Sequence, residues 1–293
     1  MAEAPPASGL SPDDILARSG SNFRIGFVCL DAERKAGMTA IYAFCRVADD
    51  AADDAPSADI GAEHLAFWRR ELEAAENGAA RTPVGRALGA AMVRFRMPVL
   101  PLVQLLDGCA MDLQPGAFAD EDDLRLYCDR VASAVGRACL PVLGASGNDA
   151  VRFADALGQA LQFTNILRDL RVDAAVGRVY APRSWLADHG VEPGWLGGDG
   201  PAEVYAADGP MQRLCARFIA TAENDFAAAR AALRALPRRM RRALVPARIM
   251  GAVYRDLLRR LAVRGGDIRG ERVRVPNARK LWLAASVLAG VRG

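Results

Sequence analysis

Apolar residues recur at helical spacing along most of this 293-residue chain. Asp31 is a candidate N-cap for a helix that runs through Ile41 and Phe44 to Asp54, where a proline-containing turn ends it. Short helical patterning precedes this helix over 13–30, and no strand-like alternation of useful length occurs. Further helices are predicted over 62–77, 83–95, 99–113, 121–143, 149–173, 211–236 and 239–264.

Two segments interrupt the helical pattern. Residues 1–12 are rich in Ala, Pro and Ser, and we expect a disordered N-terminal tail there rather than a signal or transit peptide. Glycines and prolines between residues 188 and 210 predict an irregular loop. The rest of the pattern predicts one all-α domain over 13–293, built as a helical bundle.

Composition narrows the function classes. Apolar residues make up 52% of the chain, and the net charge of +3 comes from interleaved acidic and basic residues. No basic tract with interspersed aromatic residues is present, so we expect no nucleic-acid partner. Six cysteines without C-x-x-C pairing indicate buried thiols in a reducing compartment, and therefore a cytoplasmic protein. The chain has only two histidines, which argues against a histidine-based catalytic triad or metal site.

The sequence predicts no membrane-spanning segment, because it has no run of about 20 apolar residues. The nearest candidate, residues 281–291, is about half that length. We interpret it as a C-terminal core helix. A patch that docks on a bilayer surface is the alternative.

The most informative polar residues form two acidic clusters about 120 residues apart. Asp49 and Asp53 lie four residues apart in the first, as do Asp169 and Asp173 in the second. Four residues is just over one helical turn, so each pair shares a helix face, where like charges repel. A cation between the two faces would explain this arrangement. Oxygen ligands without nearby His or Cys favour a hard ion such as Mg²⁺.

The second cluster extends into a polar stripe, and an arginine accompanies each cluster. The stripe consists of Gln162, Asn165, Asp169 and Asp173. A solvated helix face is the alternative, but such faces usually carry long, mixed Lys and Glu side chains rather than short Asn and Asp. Arg46 and Arg168 are either ion-pair partners of the neighbouring aspartates or ligands for a phosphate.

These motifs resemble those of the squalene/phytoene synthase family. The resemblance rests on AFCRVADDAADD (43–54) and QFTNILRD (162–169), in this order and at the right separation, with the flanking segments YCDRVA (127–132) and GRVYAP (177–182). It covers the chain from about Ser19 to Leu283. Within the family, the segments 19–23, 247–255 and 279–284 look most like those of bacterial enzymes that make presqualene diphosphate for hopanoid pathways.

The resemblance implies an isoprenoid-synthase type of helical bundle around a deep apolar cavity, with the two acidic helices facing each other at its mouth. It implies head-to-head condensation of two farnesyl diphosphates to presqualene diphosphate, with Mg²⁺, or alternatively Mn²⁺, assisting ionisation of an allylic diphosphate. Relatives with the same motifs make phytoene or dehydrosqualene, or make squalene with NADPH; here we expect no NADPH. A non-catalytic assembly factor of the same fold is the remaining alternative.

The family motifs also imply roles for residues of this chain. The implied metal ligands are Asp49, Asp53, Asn165, Asp169 and Asp173. The implied catalytic residues are the four aspartates of that set together with Tyr127, which matches a tyrosine at the reaction centre. The implied substrate-binding residues are Arg46, Asn165, Arg168, Gln162, Phe23, Tyr42, Tyr254 and Arg272. We further expect contact with a membrane surface and handover of the product to downstream squalene-forming enzymes.

Overall fold

The computed structural model describes residues 5–18, 23–114, 116 and 118–290, and the side chains of Phe23 and Arg24 lie outside this description. Within these ranges the chain is helical and contains no strand, so the all-α prediction is confirmed. The first seven α-helices are α1 (Pro12–Arg18), α2 (Phe23–Gly26), α3 (Ala32–Asp53), α4 (Ala58–Glu76), α5 (Pro83–Phe95), α6 (Leu100–Met111) and α7 (Glu121–Cys128). The next seven are α8 (Ala134–Leu143), α9 (Asn148–Ala175), α10 (Arg183–His189), α11 (Pro210–Ala235), α12 (Arg238–Ala243), α13 (Val245–Arg264) and α14 (Asn277–Leu288).

α3 forms where the sequence predicts it. The carboxylate of Asp31 accepts a hydrogen bond from the N–H of Arg34 at 2.8 Å, which satisfies one of the free donors of the first turn. The side chains of Ile41, Phe44 and Val47 on one face are almost completely buried. Burial of each such side chain stabilises the fold by roughly 1.5–3 kcal/mol, so this face anchors α3 in the bundle.

α9 is the central helix of the bundle. It packs against α8, α11, α13 and the π-helical turn Asp129–Ser133. Phe163 in its C-terminal half is buried against Trp185 of α10 and Phe218 of α11, with ring centroids 6.3 and 6.2 Å away. These aromatic contacts fix the rotation of α9 about its axis. The polar stripe of α9 lies on a different face from Phe163.

Two segments predicted as single helices are broken in the structure. The segment 121–143 consists of α7, the π-helical turn and α8. The turn passes so close to α9 that a Cβ atom on Gly158 would lie 2.6 Å from the Cα atom of Ser133. The segment 239–264 breaks at Leu244 into α12 and α13. Pro246 explains this break, because it has no N–H and its ring excludes a continuous helix.

Two segments that we expected to be irregular are partly ordered. Within the expected tail 1–12, Pro6–Gly9 forms a 3-10 turn, α1 has begun by residue 12, and Leu10 packs against the core. Within 188–210, Pro193–Gly197 and Ala202–Tyr205 form further 3-10 turns. The Tyr205 hydroxyl donates to the carbonyl of Trp195 at 2.6 Å, which holds this segment together.

The C-terminal helix α14 lies against α13 and α2. Its side chains Leu283, Ala284 and Val287 are buried, as expected for a core helix. Among the helices of the described ranges, none combines the length and hydrophobicity that crossing a bilayer requires.

Candidate active site

The bundle encloses a cavity of about 1370 Å³ with an apolar end and a charged end. From its N-terminal to its C-terminal end, α3 lines this cavity with Met38, Ile41, Tyr42, Cys45, Arg46, Asp49, Asp50 and Asp53. In the same direction, α9 lines it with Phe153, Ala154, Leu157, Gly158, Leu161, Gln162, Asn165, Ile166, Arg168, Asp169 and Asp173. On both helices, the residues that line the cavity change from apolar to charged toward the C-terminal end. The two acidic clusters therefore line the same cavity.

Arg178 joins the two acidic clusters directly. It lies just beyond the C-terminal end of α9, where its N–H donates to the carbonyl oxygen of Asp173 at 2.9 Å. Its guanidinium forms an ion pair with Asp53 of α3. Arg178 lies in the flanking segment 177–182 but is not among the predicted site residues, so the structure adds it to the site.

The crowding of carboxylates at this end shifts their acidity. Burial and, next, the charge of Asp53 raise the pKa of Asp49 to about 7. Burial and, next, the charge of Asp169 raise the pKa of Asp173 to about 7. The Asp49 side chain is still 52% exposed, because it faces the open cavity. A cation placed among these groups would favour their ionised forms.

Asp169 has the opposite environment. Burial alone would raise its pKa, but hydrogen bonds from Arg168 and Arg272 outweigh burial and lower the pKa below its usual range. Arg168 Nε donates to the two carboxylate oxygens at 2.9 and 3.0 Å. Arg272 donates to the same oxygens from Nε at 2.6 Å and from a terminal nitrogen at 2.8 Å. Two guanidinium groups therefore converge on one carboxylate at the cavity wall.

Arg46 is the corresponding cation on α3. It pairs with Asp49 at 3.3 Å and with Asp50 one residue further on. Arg46 and Arg168 thus form the ion pairs that their spacing allows, and both also line the cavity. Their role as phosphate ligands stays a prediction.

Two tyrosines meet on one carboxylate beside the first acidic cluster. The hydroxyls of Tyr127 and Tyr180 donate to Asp112 at 3.0 and 2.7 Å, and their ring centroids lie 5.2 Å apart. Burial raises the pKa of Asp112 to about 6 despite these two hydrogen bonds. Asp112 is not among the residues predicted from the sequence, because a single aspartate after the end of α6 belongs to no motif.

The donor set fits a hard divalent cation. The side-chain oxygen of Asn165 is buried and has no hydrogen-bond partner in the described part of the chain. In the same part of the chain, no three or more His, Cys, Asp or Glu side chains are gathered tightly enough to hold a metal ion by themselves. Mg²⁺ typically takes one or two carboxylates and completes its shell with water and phosphate oxygens. Two separate carboxylate pairs plus an amide oxygen suit that mode of binding.

The structure brings nearly all predicted site residues together. Those that line the cavity are Asp49, Asp53, Asp169, Asp173, Asn165, Tyr127, Arg46, Arg168, Gln162, Tyr42, Tyr254 and Arg272. Phe23 begins α2, and its side chain lies outside the described residues. Residues 272–277 and Lys280 also line the cavity, so the segment between α13 and α14 forms part of its wall.

The sequence model of the squalene/phytoene synthases matches residues 16–279 of this chain. The chain belongs to the squalene/phytoene synthase family. Presqualene diphosphate synthase from Zymomonas mobilis subsp. mobilis is 36% identical over 93% of this chain and 90% of its own. Phytoene synthase from Mycobacterium tuberculosis is 33% identical over 94% and 89%. The crystal structure of a dehydrosqualene synthase in complex with ligand aligns with a TM-score of 0.83 at 27% identity, covering 96% of this chain and 95% of that one.

Membership in the squalene/phytoene synthase family confirms the resemblance and the fold predicted from it. The expected enzyme class, transfer of prenyl groups, is confirmed at the level of the family. Similar relatives carry the names of presqualene diphosphate synthases and of phytoene synthases, so family membership alone does not choose between these products.

Proposed function

We propose that this enzyme condenses two molecules of farnesyl diphosphate head to head to give presqualene diphosphate. The observation that carries the proposal is the cavity, which joins a long apolar section to two acidic clusters and several arginines. Its volume of about 1370 Å³ exceeds the roughly 300–1,000 Å³ of ordinary small-molecule pockets. Such a cavity suits two long prenyl chains with both diphosphates at the charged end.

The charged end would bind the diphosphates. The planar guanidinium groups of Arg46, Arg168 and Arg272 suit phosphate oxygens, to which they donate paired hydrogen bonds. The four motif aspartates and Asn165 are the residues that would hold Mg²⁺. When bound, the ion would neutralise charge on the departing diphosphate.

The apolar end would protect the reacting carbon atoms. Breaking the allylic carbon–oxygen bond releases diphosphate and leaves an allyl cation, which water would quench. The cation is instead attacked by the double bond of the second farnesyl chain. Loss of a proton then closes a cyclopropane, and the released diphosphate is the proposed acceptor of that proton. Tyr127 and Tyr180 place aromatic rings beside this reaction space, and such rings attract a cation.

Product analysis tests this proposal. Purified enzyme is incubated with farnesyl or geranylgeranyl diphosphate and Mg²⁺, with and without NADPH, and the products are identified by mass spectrometry. We expect presqualene diphosphate from farnesyl diphosphate, whether or not NADPH is present. A product only from geranylgeranyl diphosphate would instead favour a phytoene synthase. Squalene or dehydrosqualene as the end product would favour the other two alternatives.

Matched variants test the assigned roles. Asp49→Asn and Asp169→Asn should each abolish turnover, because each removes a charged oxygen ligand from one acidic cluster. Asp54→Asn is the control, since Asp54 belongs to the same acidic motif but does not line the cavity. Turnover near the wild-type level in either of the first two variants would contradict the proposed metal site.

We further propose a cytoplasmic enzyme that contacts a membrane surface. The proposed product is amphiphilic: it keeps one diphosphate but carries a hydrocarbon part built from two farnesyl chains, which is unfavourable to expose to water. Release at a bilayer, followed by handover to a squalene-forming enzyme, would keep the product out of bulk water.

A further inference from the structure

The exposed face of α14 is apolar. The residues on this face are Ala278, Leu281, Trp282, Ala285 and Leu288. Leu281, Trp282 and Leu288 are 64%, 48% and 53% exposed. The opposite face is also apolar, with Leu283 and Val287 buried against the bundle. A surface helix of a globular protein normally turns a polar face to water, and an all-round apolar helix is normally covered on all sides.

The helix α12, which immediately precedes α13, is strongly basic. It carries Arg238, Arg239, Arg241 and Arg242, and none of these forms an ion pair with another described residue. Between Asp225 and Asp256 the sequence has eight arginines and no acidic residue. The four guanidinium groups of α12 therefore require an anionic partner or full solvation.

Packing places the start of α13, which directly follows α12, against the C-terminal half of α14. Val245, two residues after α12, packs with Ile249 of α13 against Ala284 and Val287 of α14. At the other end of α14, Arg279 pairs with Asp256 and stacks on the ring of Trp282 at 4.4 Å. The apolar face is therefore flanked by cations at both ends.

The same helix forms part of the cavity wall. Asn277 and Lys280 of α14 line the cavity, as does Phe27 in the turn that packs on α13. The next residue, Val28, is 68% exposed. The apolar outer face of α14 thus lies on a helix that also borders the cavity.

We infer that α14 and α12 together form a docking face for a bilayer of anionic phospholipids. Leu281, Trp282 and Leu288 enter the boundary between headgroups and acyl chains, where apolar residues and tryptophan are favoured. The arginines of α12 contact the phosphate groups of anionic lipids. A second copy of this chain is a poorer occupant, because it brings the same unpaired arginines. The inference rests on the membrane contact in the proposed function, for which it names the surface and the lipid class, and it is argued from exposure, charge and packing.

Vesicle flotation with the purified full-length protein tests the docking face. The vesicles contain either equal parts of phosphatidylglycerol and phosphatidylcholine or phosphatidylcholine alone. We expect flotation with the anionic vesicles only, and weaker flotation as NaCl is raised. The double variant L281N/L288N and the triple variant R238Q/R239Q/R242Q should each lower vesicle affinity by about tenfold or more. In the arginine variant the dependence on NaCl should also flatten.

The control variant is V93N/V263N. Both valines are highly exposed, at 82% and 89%, but lie on α5 and at the end of α13 opposite α12. It should float like the wild type. Absent binding of the wild type to anionic vesicles would overturn the inference, and so would equal losses in the control. A dimer that L281N/L288N converts to a monomer would overturn it too, since the face would then join two copies.

Turnover separates this inference from the proposed function. None of the substituted residues lines the cavity. All variants should therefore keep wild-type turnover of farnesyl diphosphate dispersed in detergent, with unchanged circular dichroism. Loss of vesicle binding with full turnover supports the docking face. Full vesicle binding in an enzyme without the proposed activity would reject the reaction and keep the docking face.

Discussion

Asp112 accepts hydrogen bonds from two tyrosines that come from different parts of the chain, Tyr127 on α7 and Tyr180 beyond α9. Both rings line the cavity, and one carboxylate fixes both hydroxyls. A shared acceptor of this kind holds two aromatic rings in one relative orientation, since neither hydroxyl can turn away without losing its partner.

We predict that Asp112→Asn lowers kcat by roughly 10- to 100-fold, the range that misplacement of reacting groups costs. The amide keeps one acceptor oxygen but replaces the other with a donor, so one tyrosine can no longer donate and its hydroxyl must reorient to accept from the amide nitrogen. KM for farnesyl diphosphate should change less than kcat, because Asp112 is not among the proposed diphosphate ligands. Steady-state kinetics measures both. Asp107→Asn on α6, whose carboxylate pairs with Arg69 outside the cavity, is the control. An unchanged kcat in Asp112→Asn would refute the positioning role.

Asp173 makes the stability of the metal-free protein depend on pH. Its pKa rises from 3.8 to about 7 on folding, so the folded chain holds this proton more tightly than the unfolded chain does. Stability from this group is therefore fully present below about pH 4 and is lost as pH rises to about 7.

Asp173→Asn should remove this pH dependence. In EDTA at pH 8, we expect the variant to be more stable than the wild type by on the order of 1 kcal/mol, a value reduced for solvent screening in the open cavity. At pH 4 the two should be equal. Urea unfolding at both pH values measures the difference, with the exposed Asp54→Asn as control. A variant that is less stable than the wild type at pH 8 would contradict the electrostatic account.

Among single residues, the sequence identifies those site residues whose contacts are with residues close to them in the chain. The i, i+4 aspartates and their arginines are visible because helical spacing brings them together. Asp112 and the contact from Arg178 to Asp53 are not visible, because each depends on segments far apart in the chain. Such contacts arise when distant helices pack together, and no short sequence motif shows which helices will do so.

At the scale of the helices, the predicted bounds are correct where neighbouring residues set them and wrong where contacts with distant helices do. α5 occupies Pro83–Phe95, as predicted, because Thr82 caps it and Pro83 suits its first turn. The predicted helix over 121–143 is instead interrupted by the π-helical turn Asp129–Ser133. That turn packs against glycines of two other helices, Gly108 of α6 and Gly158 of α9. Its position is set by these neighbours, so apolar spacing alone predicted an uninterrupted helix.

Gly158→Ala should therefore destabilise the enzyme by about 2 kcal/mol or more. The new Cβ would lie 2.6 Å from backbone atoms of Ser133, and backbone cannot rotate out of the way. Turnover should fall as well, because Val131 and Ala132 in the turn line the cavity. Gly251→Ala in α13 is the matched control, since its Cβ meets only the end of the Leu157 side chain at 3.2 Å. Urea unfolding compares the two, and equal stabilities would disprove the close-packing explanation.

At the scale of the whole molecule, two helices that line the cavity show the same change in side-chain character along their length. α3 and α9 each change from apolar to charged lining toward their C-terminal ends, and the charged ends meet. The sequence predicts both acidic motifs and the all-α class. Apart from Arg272, which the family motifs imply as a substrate-binding residue, it does not predict that the segment 273–277 forms part of the wall, because that segment has no helical pattern to place it.

Because the two acidic clusters face one cavity, divalent ion and diphosphate should bind in a mutually dependent way. Each carboxylate pair supplies too few ligands by itself, and phosphate oxygens complete the shell of Mg²⁺. We expect Mg²⁺ alone, or an unreactive thio analogue of farnesyl diphosphate alone, to raise the melting temperature only slightly.

Together they should raise it by several degrees. A ligand at 100 times its Kd stabilises the folded protein by about 2.7 kcal/mol. For large domains, each kcal/mol of stabilisation raises the melting temperature by about 2–4 °C. EDTA should abolish both this shift and turnover, and excess Mg²⁺ should restore both. Differential scanning fluorimetry measures the shift, and the double variant Asp53→Asn/Asp169→Asn should lose the joint effect while keeping a folded baseline. If the analogue raises the melting temperature equally in EDTA, the arginines alone bind the diphosphate, and the aspartates have a role other than holding the ion.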